Sequence, residues 1–359
     1  MNRRSLRAPS EAKTVPTAAP RRPGVRRPRS ETLHLVPPAP RTSFPAASPA
    51  PADKRAVLIV GQGPAAVRCA HNVIWNAGRR WRLAGVVSPD KLRELIASGA
   101  PLPRRCVVAL DDRRGTLPVD DLVALRFRGV EVQEAASFLE EITGKLPLSM
   151  IRPADLAFAP GFRLPRWKLR LKRICDQVLA FLLLIVTAPV LAAAAAAIWL
   201  ESGAPVLFRQ KRLGLYGRPF TMLKLRTMRQ DAEKNGPQFS SADDDRVTRV
   251  GRFLRRTRID ELPQLWNVLR GEMSLVGPRP ERPEFVEELD GLIPYFTLRT
   301  TVRPGITGWA QVNEGYASSL DTLREKLAYD LYYIKNFSFR LELLVLFRTV
   351  ATVISGRGV

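Results

Sequence analysis

Residues Arg256 to Pro280 read RTRIDELPQLWNVLRGEMSLVGPRP, and two adjacent carboxylates, Asp260 and Glu261, sit in their cationic centre. Leu262, Leu265, Trp266 and Leu269 follow at i, i+3, i+4 and i+7, the apolar stripe of a helix. Pro263 is compatible with that helix only in its first turn, where its missing N–H is not needed. This spacing predicts Asp260 at or beside the N-cap. There the positive end of the helix dipole would favour the ionised carboxylate and draw a phosphate to the same place. From these residues alone a plain helix cap and a reactive carboxylate both remain open, and the rest of the chain has to decide between them.

The chain has 359 residues and a formal net charge of +23, which implies an anionic partner: nucleic acid, a membrane surface or a phosphorylated substrate. Residues 1–55 hold twelve Lys+Arg against three Asp+Glu, so +9 of that charge lies in the leading segment. Cys69, Cys106 and Cys175 are far apart, which suggests a reducing compartment without disulfides. With His34 and His71 the only histidines, a zinc site or a Ser–His triad is disfavoured. Chemistry then falls to carboxylates, cations and a hard metal.

Four segments follow from composition. Residues 1–54 are rich in Pro, Ala, Ser and Arg without apolar periodicity and are expected to be a disordered basic tail. They lack the apolar core of a secretory signal, and they read as a solvated leader more than as a lipid-binding arm. Residues 55–160 are expected to be an α/β Rossmann-like module. Val57–Val60 is a buried strand, Gly61-Gln62-Gly63 a glycine turn, and a helix follows to about Asn76; Arg82–Val87, Val107–Leu110 and Gly129–Val132 are further strands. Pro64 interrupts the dinucleotide fingerprint and no acid ends the second strand, Asp90 coming late, so a structural or regulatory module is expected rather than an NAD site.

Residues 161–201 combine a basic flank (Arg163, Arg166, Lys168, Arg170, Lys172 and Arg173) with an uncharged run from Gln177 to Leu200, long enough to span a bilayer. Pro189 lies mid-run, and Arg209, Lys211 and Arg212 make the far flank basic as well. A simple span has one positive flank. A re-entrant helix that breaks at Pro189 and returns to the cytoplasmic face accommodates both observations. Residues 202–359 are expected to be an α+β, membrane-associated catalytic domain. Val206–Gln210 and Phe220–Arg226 are strands around the turn Gly214–Gly217, and the period of two places Lys224 and Arg226 on one face. Asp245–Arg256 is a basic amphipathic helix suited to an anionic membrane. Leu341–Ile354 is a core helix or a second membrane contact.

From about Arg170 onward the sequence resembles the bacterial sugar transferases, monotopic phosphoglycosyl transferases acting on polyprenyl phosphate. The resemblance rests on Arg209–Gly214, Gly217–Phe220, Lys224–Met228, Asp260–Leu269, Met273–Pro280, Arg303–Val312 and Tyr329–Ile334, in that order. It implies that Asp260 attacks the β-phosphate of a UDP-sugar and releases UMP, and that undecaprenyl phosphate then takes the phosphosugar from the aspartyl intermediate. It implies that Glu261 helps bind Mg2+. Lys224, Arg226, Arg256 and Arg279 are candidates for holding phosphate oxygens, and Arg303 and Thr307 for the nucleotide. A hexose such as glucose or galactose is expected, at the cytoplasmic face of the inner membrane.

Two departures stand out: Ala188-Pro189 replaces the family's usual Ser-Pro, and the membrane helices that precede the module in larger relatives are not read here. Residues Gly129 to Phe162 resemble the exosortase-associated branch linked to exopolysaccharide production. The competing readings are a nucleic-acid-binding protein, which lacks stacking aromatics and recognition motifs, and an NAD-dependent oxidoreductase. No nucleic-acid partner is expected, and the sequence leaves oligomeric state open, a homo-oligomer included.

Overall fold

The computed structural model describes residues 55–75, 80–112, 116–151, 153–158, 161–162, 165–232, 244–314 and 319–355. The leading segment 1–54, Asn76 and Arg163 lie outside the described residues. The first part alternates strand and helix: β1 (Ala56–Val60), α1 (Pro64–Trp75), β2 (Arg82–Val87), α2 (Pro89–Ala97), β3 (Arg105–Val108), α3 (Val119–Phe127), β4 (Glu131–Glu134), α4 (Ala135–Thr143) and α5 (Pro153–Phe158). The strands form one parallel sheet in the order β2-β1-β3-β4, with Val57 beside Leu83 on one side and Arg105 on the other. All five residues of β1 are buried, as its unbroken apolar run requires of a central strand.

The glycine turn after β1 is filled by the chain itself. A Cβ at Gly63 would lie 1.7 Å from Asp111 Oδ2, and Ala65 N, in the first turn of α1, donates to Asp111 Oδ1 at 3.2 Å. An internal carboxylate therefore stands where a dinucleotide-binding loop would receive a phosphate.

The second part holds α6 (Arg166–Ser202), β5 (Leu207–Leu213), β6 (Pro219–Leu225), α7 (Arg249–Arg256), α8 (Gln264–Arg270), β7 (Ser274–Val276), α9 (Pro283–Leu292), β8 (Gly305–Thr307), α10 (Trp309–Asn313), α11 (Leu320–Lys335) and α12 (Phe339–Ser355). β5 and β6 form an antiparallel hairpin with Arg209 opposite Leu223, and β7 and β8 a short parallel pair. The two parts are joined by more than the chain. Leu146, just past α4, belongs to the hydrophobic core of the second part, Trp309 Nε1 donates to Gly144 O at 2.7 Å, and Lys335 pairs with Glu140 at 2.5 Å.

α6 is long and apolar enough to cross a membrane, and only 11% of its most apolar window is buried inside the protein, which is not how a core helix behaves. Both of its ends dock on the second part. Near the start, Lys172 pairs with Glu342 of α12 and Gln177 Nε2 donates to Leu269 O at 2.8 Å. At the end, Arg226 Nη2 donates to Ser202 O at 3.0 Å and to Gly203 O at 2.6 Å. Between them Phe181, Leu182, Ile185, Val186 and Val190 are exposed. The expected break at Pro189 is not a break in secondary structure: the proline lies inside a continuous helix. A proline removes one backbone donor and strains one turn, and the hydrogen bonds on either side suffice to carry the helix through.

α12 answers the question left by its sequence on one side only. Val345 is fully buried in the core, while Leu343, Phe347 and Val350 on other faces are exposed.

Candidate active site

The two carboxylates lie on a single turn of 3-10 helix, Ile259–Glu261, wedged between α7 and α8. The turn is entered through Arg258, whose backbone is left-handed at φ 58° and ψ 15°, a conformation that a residue with a Cβ adopts only where its surroundings hold it. The residue at the N-cap of α8 is Pro263, which offers no side-chain cap. The N-cap expected of Asp260 is therefore displaced by one turn. The 3-10 turn takes up the residues that the apolar spacing assigned to the start of the helix.

Asp260 and Glu261 are 6% and 7% exposed, yet their surroundings differ. Glu261 Oε1 receives Arg279 Nη2 at 3.1 Å, Lys224 Nζ at 3.3 Å and Arg258 Nη1 at 3.6 Å. Burial works to raise the Glu261 pKa, and Arg279, Lys224 and Arg258 together outweigh it and hold the group well below the usual carboxylate range. Asp260 has no such collar, and its buried Oδ1 has no hydrogen-bond partner. Burial, then the Glu261 charge, push its pKa up to about 6, against the pull of Lys224, Arg258 and Arg255. Three cations limit a rise that burial and the Glu261 charge cause. Lys224 shows the converse, its pKa lowered by burial and partly restored by Glu261.

Local packing fixes each of these groups. Asn267 of α8 is fully buried, accepts Leu223 N at 3.1 Å and donates to Thr221 O at 2.8 Å, which locks β6 and so Lys224 to the helix beyond the dyad. The Pro278–Glu281 loop is held from behind by Arg299, which donates to Arg279 O at 3.0 Å and pairs with Glu281 and with buried Asp330. α7 is pressed against the end of β6, since a Cβ at Gly251 would meet Thr227 O at 2.1 Å.

Four residues named from the sequence stand elsewhere. Arg226 lies just past the end of β6 and turns to the carbonyls at the end of α6. Arg256 is exposed on the α7 face that also carries Arg249, Arg252 and Phe253. Arg303 donates to Gly271 O at 3.0 Å, and Thr307 is bonded to Thr349 at 2.7 Å; neither is brought to the dyad by these contacts. In their place the structure supplies Arg258 and Arg255, the latter donating to Thr227 Oγ1 at 2.9 Å. Arg258 could have been found as the i−3 neighbour of Glu261.

The profile of the bacterial sugar transferase family matches residues 167–356, more than half of the chain. The chain belongs to that family. Among individual relatives, the UDP-N-acetylgalactosamine-undecaprenyl-phosphate N-acetylgalactosaminephosphotransferase of Aeromonas hydrophila is 48% identical over 188 residues, 52% of this chain and 44% of that protein. The UDP-glucose:undecaprenyl-phosphate glucose-1-phosphate transferase of Caulobacter vibrioides is 47% identical over 205 residues, 56% of this chain and 76% of the relative. The undecaprenyl-phosphate glucose phosphotransferase of Komagataeibacter xylinus is 36% identical over 319 residues, 85% of this chain and 60% of that protein. A match of that length reaches into the parallel-sheet part as well. The chain spans less than half of the first bacterial sugar transferase relative and less than two thirds of the third.

Proposed function

We propose that this protein transfers a hexose 1-phosphate from a UDP-sugar to undecaprenyl phosphate at the cytoplasmic face of the inner membrane, as the initiating step of exopolysaccharide or another surface glycan. The observation that carries this reading is the pairing of a buried, unpartnered carboxylate with a second carboxylate that gathers three cations. The first is a nucleophile without a competing hydrogen bond; the second gives a diphosphate a ring of positive charge to dock against.

In the first step an oxygen of Asp260 forms a bond to the β-phosphorus. The bond between that phosphorus and the bridging oxygen breaks, and UMP departs with the oxygen and its electron pair. In the second step a phosphate oxygen of undecaprenyl phosphate attacks the same phosphorus and the carboxylate leaves, which restores Asp260. Lys224, Arg258 and Arg279 offset the charge that builds on the phosphoryl oxygens. The residues fit Mg2+, which would neutralise the diphosphate. Asp260 Oδ1 is an orphaned acceptor, and the described bonds of Glu261 all go to Oε1, leaving Oε2 for the ion. Among the described residues no three His, Cys, Asp or Glu gather. That suits an ion held by one or two carboxylates and substrate phosphates.

Topology follows the same reading. A helix from Arg166 to Ser202 would extend about 55 Å at 1.5 Å per residue, against a hydrocarbon core of about 30 Å. Both ends dock on one catalytic body and the middle is exposed, which supports a re-entrant path turning near Pro189. Cysteines introduced at Trp167 and Ser202 should both label from the cytoplasm alone; periplasmic labelling of either one defeats the re-entrant path. We read the parallel-sheet part as a Rossmann-like structural module, its glycine turn closed by Asp111.

The reaction is tested by supplying purified protein with Mg2+, undecaprenyl phosphate and a panel of UDP-sugars, UDP-glucose and UDP-N-acetylgalactosamine included. UMP should appear with at least one donor. Its rate should climb as Asp260 ionises, reach half its plateau near pH 6 and fall about tenfold per pH unit below that. No UMP from any UDP-sugar, or a rate already at its plateau at pH 4.5, would contradict the assignment.

A further inference from the structure

A second polar cluster lies at the start of α6 and takes no part in the chemistry above. Lys172 pairs with Glu342 and, at 3.3 Å, with Asp176; Ser274 Oγ donates to Asp176 Oδ2 at 2.5 Å; Tyr333 hydrogen-bonds to Glu342. These charges satisfy one another. The two arginines beside them do not. Arg303 Nε donates to Gly271 O at 3.0 Å, and the Arg173 guanidinium lies so near that a Cβ at Gly271 would stand 2.8 Å from its Nη2. Arg173 makes no hydrogen bond or ion pair with any described residue, and the only described bond of Arg303 is the one to Gly271. Burial, then the Arg173 charge, lower the Arg303 pKa, and the nearby Asp176 carboxylate offsets this only in part.

Helix capping accounts for part of this arrangement, since cations favour a helix C-terminus and Gly271 follows α8. The end of α8 is already served, however: Gln177 takes Leu269 O and Arg303 takes Gly271 O. Arg173 is left over. Both arginines stand at the open side of a narrow cleft of ≈ 30 Å³ whose other walls include Asp176 and the apolar side chains of Leu169, Val268, Met273 and Phe337. That interior has room for only a water or two, so a ligand of the two arginines would sit at its open mouth. Its depth is also informative. Arg173 stands one turn before the apolar run that begins at Gln177, while Trp167, Leu171 and Ile174 are exposed around it. Aromatic and cationic residues in that position mark the headgroup layer.

We propose that Arg173 and Arg303 form a binding site for the phosphate of a membrane lipid, whose first carbons lie along the exposed apolar residues Trp167, Leu171 and Ile174 at the start of α6. The site is separate from the dyad and rests on the reading that α6 enters the membrane. Two guanidiniums can hold one phosphate through bidentate hydrogen bonds, and their mutual repulsion is relieved when it arrives. Either the acceptor lipid on its way to the dyad or a resident phospholipid presents this chemistry.

The experiment is native mass spectrometry of the full chain released from mixed micelles. The micelles carry phosphatidylglycerol, undecaprenyl phosphate or, as the control whose phosphate is neutralised by its own choline, phosphatidylcholine. Wild type should retain an anionic lipid. Arg173→Gln/Arg303→Gln should retain it at least about tenfold less, and Arg173→Lys/Arg303→Lys should recover part of the loss, which separates a lost site from a lost fold. Loss of phosphatidylglycerol assigns a resident lipid, and loss of undecaprenyl phosphate assigns an acceptor site. Equal retention of both anionic lipids by wild type and the Gln variant, or phosphatidylcholine retained as well as they are, overturns the proposal. So does a Lys variant as defective as the Gln variant. UMP release by the same wild-type preparation reports the proposed reaction independently, because lipid retention is read without turnover.

Discussion

Asp260→Asn should abolish UMP release, by at least about a thousandfold, while leaving the protein no less stable than wild type. The two halves of this result have one cause. An amide of the same shape cannot form the acyl phosphate, so the first bond-making step is lost and no phosphosugar labelled at phosphorus should be trapped on the variant. The stability half follows from the raised pKa. A carboxyl held near pH 6 instead of its ordinary 3.8 is harder to ionise in the fold than in the unfolded chain. Its ionised form costs stability above pH 6, on the order of 3 kcal/mol, and that cost vanishes as pH falls toward 3.8. Asparagine carries no charge to desolvate, so at pH 7.5 the variant should melt at or above the wild-type temperature in the same detergent. A variant that loses activity and also melts well below wild type would mean that Asp260 is structural. A variant that still releases UMP would mean that the nucleophile lies elsewhere.

What could be read beforehand follows the range of the forces involved. The apolar run of α6 and the basic face of α7 are properties of composition and period, so both helices are found, but α7 begins at Arg249 after the Thr248 cap rather than at Asp245, because Val247 pairs with Met228 in a bridge. The hairpin of β5 and β6 was legible from its glycine turn. β7 and β8 were not, because a three-residue strand is too short for a period of two to show. Inside the site the limit is register. Arg255 and Arg256 are equivalent in composition, and only the α7 contact with Thr227 turns the first inward and leaves the second exposed. Arg226 alternates correctly with Lys224, but it lies just past the last strand residue, Leu225, where its side chain meets the carbonyls at the end of α6.

The charge state of the dyad was the deeper difficulty. A sequence shows which charges are near along the chain but not how much water each one keeps. Capping logic made Asp260 the stabilised anion. Burial reverses this: Glu261 is held strongly anionic by Lys224, Arg258 and Arg279, brought together from β6, the dyad turn and the Pro278–Glu281 loop. Adjacent carboxylates driven apart in pKa are the pattern by which a site assigns two roles to one residue type.

Glu261→Ala should therefore behave opposite to Asp260→Asn in stability, although both lose activity. Removing the Glu261 carboxylate leaves Lys224, Arg258 and Arg279 facing one another around an empty centre, with Lys224 largely buried and the two arginines half-buried. Breaking a buried ion pair by deleting one partner costs about 3–5 kcal/mol, chiefly because the surviving charge has no counterion, and the lower end applies here because Arg258 and Arg279 keep water. At roughly 2–4 °C per kcal/mol for a domain of this size, the melting temperature should fall by about 10 °C. The pH dependence has a definite sign. The folded pKa of Glu261 is depressed, so its stabilisation is complete above its ordinary value of 4.5 and is lost only as pH falls through the lower folded value. The deficit of Glu261→Ala should accordingly be constant from about pH 7 to 8, above the range in which Asp260, whose pKa the Glu261 charge helps to raise, titrates. Glu261→Gln keeps an oxygen that can accept from one of the three donors, so its melting temperature should lie between those of Ala and wild type. Its UMP release should still drop by about a hundredfold or more, because an amide neither offsets the cations nor suits a hard metal. If Glu261→Ala melts with wild type, the three cations do not depend on this carboxylate, and the electrostatic account of the site is wrong at its centre.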